Sequence, residues 1–261
     1  MNNGCIKILA VGDVVGVGGT AYIKEKLWGI RKRLCADMVI LNGENAAAGN
    51  GIDPDTAETL FSSGADVITS GNHIWQKRSV QSYIESNVCL LRPVNYPPSC
   101  PGNGYVIFDC SGYRVLVISV MGTVFLDALE SPFTAVDRVL EREKGSYDFA
   151  FCDIHAEATS EKIAFGRYFD GRVSVVVGTH THVQTADEKI LPGGTGYITD
   201  LGMTGPYDSV LGMKLETVLA RFLTKMPHRY EEAEGEIMFN GCLFTVGLSD
   251  FKVTSVERIC L

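Results

Sequence analysis

Residues 8–21 read "ILAVGDVVGVGGTA", an apolar strand running into a glycine-rich loop and then a helical pattern. Two chemistries use such a beginning. In one the glycines cradle the phosphates of a dinucleotide, and in the other the loop presents Asp13 to a metal ion. Gly16-x-Gly18-x-x-Ala21 fits the dinucleotide pattern in its weak form, and Asp37 stands about the right distance further on. Asp37, however, precedes the second apolar run, "MVILN", and so lies at its amino end. A ribose-binding acid belongs at the carboxyl end, and the acid there is Glu44. The cradle reading fails on placement.

Beyond this stretch, apolar strands alternate with helical patterns. "IKILAV" is followed by a helix near 20–35, "DMVILN" by a helix opened with Asp53 and Pro54, and "ADVITS" by a helix near 78–86. Aspartate as N-cap with proline at the first helical position is a good helix start. This β-α-β-α-β rhythm predicts a layered α/β fold. Residues 92–104, "RPVNYPPSCPGNG", carry four of the nine prolines and read as a long irregular loop. "YVIFDCSGYRVLVISV" then reads as a hairpin turning at Ser111–Gly112. A helix around 132–144, the strand "DFAFCDIH", a helix around 160–169 and the strand "VSVVVGTH" resume the alternation. After 185 the chain reads as β-rich apart from a helix near 214–225. With no internal repeat, low-complexity tract or linker, residues 1–261 read as a single domain.

The informative pattern is where each strand stops. "ILAV" ends at Gly12-Asp13, "MVILN" at Gly43-Glu44-Asn45, and "DVITS" at Gly71-Asn72-His73. "DFAFCDI" ends at His155, and "VSVVVGT" at His180-Thr181-His182. In open α/β sheets ligands bind beyond the carboxyl ends of the strands, and parallel strands would bring all five ends to one edge. Carboxylate, amide and imidazole without thiolate suit Mn, Fe, Zn or Co. About eight candidate ligands are too many for one tetrahedral ion and right for two. Singly, each residue has a bland reading: Asp13 as a helix cap, Glu44 and Asn45 as turn formers, His73 as a surface histidine. The "HTH" at 180–182 is harder to dismiss, because alternation puts both rings on one face. The set at five strand ends favours the metal.

Bulk properties narrow the partners. The 261 residues are 46% hydrophobic and 21% charged, enough for a full core. No run of about 18 apolar residues exists, so no membrane span is expected. Lys7 interrupts the first apolar run, so no signal peptide is expected and the cytoplasm is the default compartment. The eight cysteines include no C-x-x-C pair, and several sit in strand-like runs as small buried hydrophobes, so a disulfide framework is not expected. Net charge is −8, and the densest basic cluster, "IRKRL" at 30–34, reads as a solvated helix face. Long nucleic acid is therefore not an expected partner. A small anionic substrate held by metals fits, since the ions supply the positive charge.

Seven ordered blocks make the pattern specific: "GDVVG", "NGENAA", "GNHIW", "RPVNYP", "DIHAEATSEK", "GTHTHVQTAD" and "ITDLGMTGPYD". Across essentially the whole chain they resemble the bacterial branch of calcineurin-like metallophosphoesterases that act as 2′,3′-cyclic nucleotide phosphodiesterases. The resemblance implies an αββα fold, a β-sandwich flanked by helices with the metal site at the strand ends. Two blocks depart from the wider superfamily. Asp13-Val14-Val15 stands for D-x-H, and Gly43-Glu44-Asn45 replaces G-D-x-x-D-R-G, both typical of this branch. The resemblance implies one metal held by Asp13, Glu44, Asn45 and His182. It implies a second held by Glu44, Asn72, His155 and His180, with Glu44 bridging. It further implies an iron pair, with manganese able to substitute, and, as often in this branch, a homo-oligomer formed with help from the C-terminal third.

The implied chemistry is attack on phosphorus by a hydroxide bridging the two ions. His73 would assist as the catalytic side chain, stabilising charge or protonating the leaving oxygen. A 2′,3′-cyclic nucleotide, small and monoanionic, fits an acidic protein with a metal pocket. The loop 92–104 and "LGMTGPYD" are the expected pocket walls. Two rivals stand beside this reading: a metal-dependent hydrolase of another substrate, monoester or amide, and a non-enzymatic regulator that binds nucleotide or protein.

Overall fold

The computed structural model describes residues 4–261. The chain opens with β1 (Cys5–Val11), β2 (Asp13–Val14), α1 (Gly16–Leu34), β3 (Met38–Asn42), α2 (Pro54–Ser62), β4 (Val67–Thr69) and α3 (Val80–Ser86). It continues through β5 (Tyr105–Cys110), β6 (Tyr113–Met121), α4 (Pro132–Arg142), β7 (Phe149–His155), α5 (Thr159–Tyr168) and β8 (Val175–Thr179). The last part holds β9 (Lys189–Ile190), β10 (Gly196–Ile198), β11 (Met203–Pro206), α6 (Leu215–Thr224), β12 (Ile237–Met238), β13 (Asn240–Gly247) and β14 (Val253–Cys260).

These strands build two facing sheets and a small third one. A five-stranded sheet runs β14-β13-β1-β3-β4, and a six-stranded sheet runs β5-β6-β7-β8-β10-β9. The pairs β1–β3, β3–β4, β6–β7 and β7–β8 are parallel. Alternation along β1 explains the layering. Ile6, Ile8 and Ala10 meet Val117, Phe151, Val175 and Val177 of the other sheet in the central layer. Leu9 and Val11 point the other way, onto Ile23 and Leu27 of α1 and Leu60 of α2. On the far side Leu116, Ile118, Cys152 and Ile154 pack beneath Val136 of α4 and Phe165 of α5. The result is the αββα sandwich that the resemblance implies. The strand rhythm alone points to one edge of one sheet. The ligand-bearing strands instead divide between two sheets whose carboxyl ends meet at a common edge.

Local signals act as their chemistry requires. The Asp53 carboxylate accepts from Thr56 N at 2.9 Å and caps α2, with Pro54 at its first position. Ser111 and Gly112 both take left-handed φ, 56° and 87°, the backbone a two-residue hairpin turn demands. One reading is corrected. Arg31 of "IRKRL" is not on a solvated face: its guanidinium turns inward and donates to Gly64 O at 2.9 Å and Asp37 O at 2.6 Å. It also pairs with Asp66 at 3.0 Å, and Asp66 in turn accepts from Val39 N. Arg31 thus ties the end of α1 to the starts of β3 and β4. None of the eight cysteines pairs with another. Among the described residues, no helix is long and apolar enough to cross a membrane.

Candidate metal centre

Each strand end delivers its polar residues to the same edge. Asp13 opens β2 directly after β1, Glu44 and Asn45 follow β3, and Asn72 and His73 follow β4. His155 is the last residue of β7, and His180 and His182 follow β8. Close approach needs glycine at the turns. A Cβ on Gly71 would run into the His155 ring and the Glu44 carboxylate, and one on Gly12 into Gly202 O. The histidine pair sits on a strained turn, with φ of 103° at His180 and 64° at His182.

The side chains converge on Glu44. Its Oε1 lies 3.0 Å from His155 Nε2 and 3.2 Å from both His73 Nδ1 and Asn45 Nδ2. On one side His155 Nε2 meets Asn72 Oδ1 at 3.1 Å and His180 Nδ1 at 3.0 Å. On the other, Asn45 Nδ2 meets His182 Nε2 at 3.2 Å, and His182 Nε2 is 3.8 Å from Asp13 Oδ1. Asp13 Oδ2 accepts from His180 N at 3.1 Å. The structure thus brings together all seven candidate ligands and His73. Ligand atoms of Glu44, His155 and His180 lie within 4.8 Å of one another.

A buried network orients the His155 ring. Thr179 Oγ1 donates to Asp153 Oδ1 at 2.8 Å, so its oxygen is free to accept from His155 Nδ1–H at 2.9 Å. Nε2 therefore faces Glu44, Asn72 and His180, protonated in the metal-free chain and able to ligate an ion that displaces that proton. Asp153 also accepts from Thr69 Oγ1 at 2.5 Å and Asn42 Nδ2 at 3.0 Å, joining the two sheets under the site. Asn42 Oδ1 accepts from Glu44 N at 3.1 Å and orients the central carboxylate. His180 turns Nδ1 inward and Nε2 outward, where Glu157 Oε2 stands at 3.0 Å. A carboxylate on the far nitrogen is the usual partner of a ligating imidazole.

The electrostatics describe a buried anionic nest. Burial pushes the Asp13 carboxyl up to about 6, eased by His182 and His155 and reinforced by Glu44 and Asp200. Burial works the same way on Glu44, but His155 and His73 beside it outweigh that and hold it well below the usual carboxylate range. Burial would depress His155, yet Glu44, Asp13 and Asp153 lift it to about 9. His180 falls to about 3 through burial and the neighbouring His155 charge. Asp13 Oδ1 is buried without a hydrogen-bond partner. A bare buried carboxylate oxygen beside imidazole nitrogens is the donor set of a metal site, so the residues fit the implied ions.

Sequence reasoning missed the supporting shell: Asn42, Thr69, Asp153 and Thr179 below the site, and Glu157, Lys162 and Asp200 beside it. The available signal was a polar residue inside an apolar strand, as Asp153 is in "DFAFCDIH".

Comparison with known proteins places the chain. The family described as YmdB-like protein matches residues 9–259. The chain is 44% identical to the 2′,3′-cyclic-nucleotide 2′-phosphodiesterase of Bacillus subtilis, over 98% of this chain and 97% of that protein. Among solved structures it is similar to a hypothetical protein from Thermus thermophilus, with a TM-score of 0.93 and 42% identity over 98% of this chain and 99% of that one. It is also similar to a novel phosphatase from Mycoplasma pneumoniae, at 33% identity and a TM-score of 0.93, over 98% of this chain and 93% of that one. Sequence and fold agree along nearly the full length, and the chain belongs to the YmdB-like family.

Proposed function

We propose that this chain is a phosphodiesterase for small phosphodiesters, with 2′,3′-cyclic nucleotides as the substrate class and two metal ions as cofactors. The observation that carries the reading is the bare, buried Asp13 Oδ1 beside the cluster of Glu44, His155 and His180. The name of the Bacillus subtilis relative supports the substrate class. One ion would be held by Asp13, Glu44, Asn45 and His182, the other by Glu44, Asn72, His155 and His180. Iron is the proposed metal, with manganese able to substitute. When bound, the two ions supply Lewis acidity toward the phosphoryl oxygens and acidify a water.

The chain's own residues do the rest. Glu44 stands between the two groups. Asn45 places its Nδ2 toward His182, so ligation by its amide oxygen requires the flipped rotamer. In that flipped rotamer the Asn45 amide nitrogen takes the place of Oδ1, 2.9 Å from His73 Nδ1, and donates to it. With its Nδ1 accepting, His73 carries its proton on Nε2, the atom that offers a proton or hydrogen bond to the leaving oxygen. The proposal includes a cytoplasmic enzyme folded as one unit and assembled as a homo-oligomer, in keeping with the open edge of β14.

Assay of 2′,3′-cyclic AMP beside a linear diester, a phosphomonoester and an amide tests this reading. Turnover of the cyclic diester well above the others is expected. Preference for the monoester, in keeping with the word phosphatase in the name of the Mycoplasma pneumoniae relative, would replace the diester reading.

A further inference from the structure

Two conspicuous residues of the sequence blocks have no part in the chemistry proposed above: Lys162, in "DIHAEATSEK", and Asp200, in "ITDLGMTGPYD". Both are buried, each side chain 1% exposed, and Lys162 Nζ lies 2.6 Å from Asp200 Oδ2. The lysine reaches its partner under β8, where Gly178 leaves room that a Cβ would take from the Lys162 stem. The same carboxylate oxygen accepts from Thr181 twice, from the backbone N at 3.1 Å and from Oγ1 at 2.7 Å. The other oxygen accepts from Gly202 N at 2.8 Å.

Thr181 is the residue between His180 and His182, and both neighbours hold left-handed backbone that non-glycine residues adopt at a cost. A turn strained on both sides of one residue persists only if that residue is held. Asp200 holds it by side chain and backbone together, and Lys162 neutralises Asp200. Stability alone is a poor explanation of such a pair. Desolvating two charges commonly cancels their attraction, and apolar replacements of equal volume are often neutral or stabilising.

We infer that Lys162 and Asp200 are positioning residues that, through Thr181, set the His-Thr-His turn so that His180 and His182 reach their two ions together. This rests on the proposed function in taking both histidines as ligands. Removing the support leaves every ligand in place but lets the two rings wander. Loss of such outer support typically costs about 10–100-fold in metal affinity.

The test is a Mn²⁺ titration of chelator-treated, refilled protein, read by binding affinity and by electron paramagnetic resonance. Wild type is compared with Thr181→Val and with Lys162→Met/Asp200→Asn. The double variant removes both charges at once and strands no buried ion. Thr181→Val deletes only the hydroxyl hydrogen bond, leaves the ion pair intact, and guards against a folding defect in the double variant. Thr181→Val is expected to bind Mn²⁺ about tenfold more weakly, with the metal-free melting temperature within about 2 °C of wild type. The double variant is expected to show the spectrum of isolated ions where wild type shows a coupled pair. Two Mn²⁺ per chain at wild-type affinity in both variants, with a coupled spectrum, would make the pair purely structural and overturn the inference. If wild type itself binds neither Mn²⁺ nor iron, the proposed function fails first and this inference falls with it.

Discussion

Glu44 follows a strand of one sheet and His155 ends a strand of the other, and their side chains meet 3.0 Å apart across the edge of the sandwich. That contact joins the halves of the molecule at the site. Each partner keeps the other charged: Glu44 lies well below its ordinary range and His155 at about 9. A field that favours a cation at this point favours a metal ion more strongly, because a divalent ion doubles the charge and satisfies Asp13 as well.

His73 touches the Glu44 and Asn45 side chains but stands outside the proposed ligand sets. His73→Ala is expected to lower kcat about 10²–10⁴-fold while both metals stay bound. Turnover and elemental analysis on the same preparation check it. Loss of a metal in the variant would move His73 into the ligand set.

Asp153 supports His155 through Thr179 and accepts from Thr69 and Asn42. Asparagine there presents an amide donor to groups that themselves donate. Asp153→Asn is expected to destabilise the protein by about 1–3 kcal/mol and to weaken metal binding about 10–100-fold. Urea unfolding and Mn²⁺ titration check the two effects separately. Unchanged metal affinity would show that Thr179 alone fixes the His155 ring.

The Asp13 carboxyl titrates near 6 in the folded chain against 3.8 for an ordinary aspartate. A raised carboxyl contributes stability that is present below pH 3.8 and lost as pH rises through about 6. Asp13→Asn removes that loss. In chelator-treated protein the variant is expected to be more stable than wild type at pH 8 and to lose the advantage at pH 4. With Mn²⁺ present the order at pH 8 is expected to reverse. Denaturant unfolding at the two pH values reads the difference. Equal stability of variant and wild type at pH 8 without metal would remove the strained-anion account of Asp13.

Arg31 lies at the other end of the strands. Its side chain is 18% exposed and holds Gly64, Asp37 and Asp66. Arg31→Ala leaves the carbonyls of Ala36, Gly64 and Asp37 without this donor and Asp66 with Val39 N alone. It is expected to cost about 2–3 kcal/mol in unfolding free energy with kcat unchanged below the melting transition. A change in kcat would connect the far end of α1 to the site.

Much of the site was legible because polar residues stand out at the ends of apolar runs. Asp13, Glu44, Asn72, His155 and His180 each follow such a run, and the edge they share is where the structure gathers them. The second sheet was not legible from the rhythm. Strands buried on both faces, such as Ile8-Leu9-Ala10-Val11, show continuous apolar character and hide which layer each side chain meets. Only the ordered blocks pointed to a sandwich. The support was hidden for another reason: Lys162 and Asp200 are 38 residues apart, and Asn42 and Asp153 are 111 apart. Each alone resembles a surface charge or a turn residue. Arg31 resembles a solvated residue because its helix neighbours Lys32 and Arg33 are exposed; its partners lie in loops the helix pattern does not mention.

The most direct measurement is metal content together with hydrolysis of 2′,3′-cyclic AMP, on wild type and Glu44→Gln. Two metals per chain with turnover in the wild type, and both diminished in the variant, are expected if Glu44 bridges a binuclear phosphodiesterase centre. No bound metal after reconstitution with iron or manganese would contradict the centre itself, and two metals in Glu44→Gln with wild-type turnover would contradict the bridging role of Glu44.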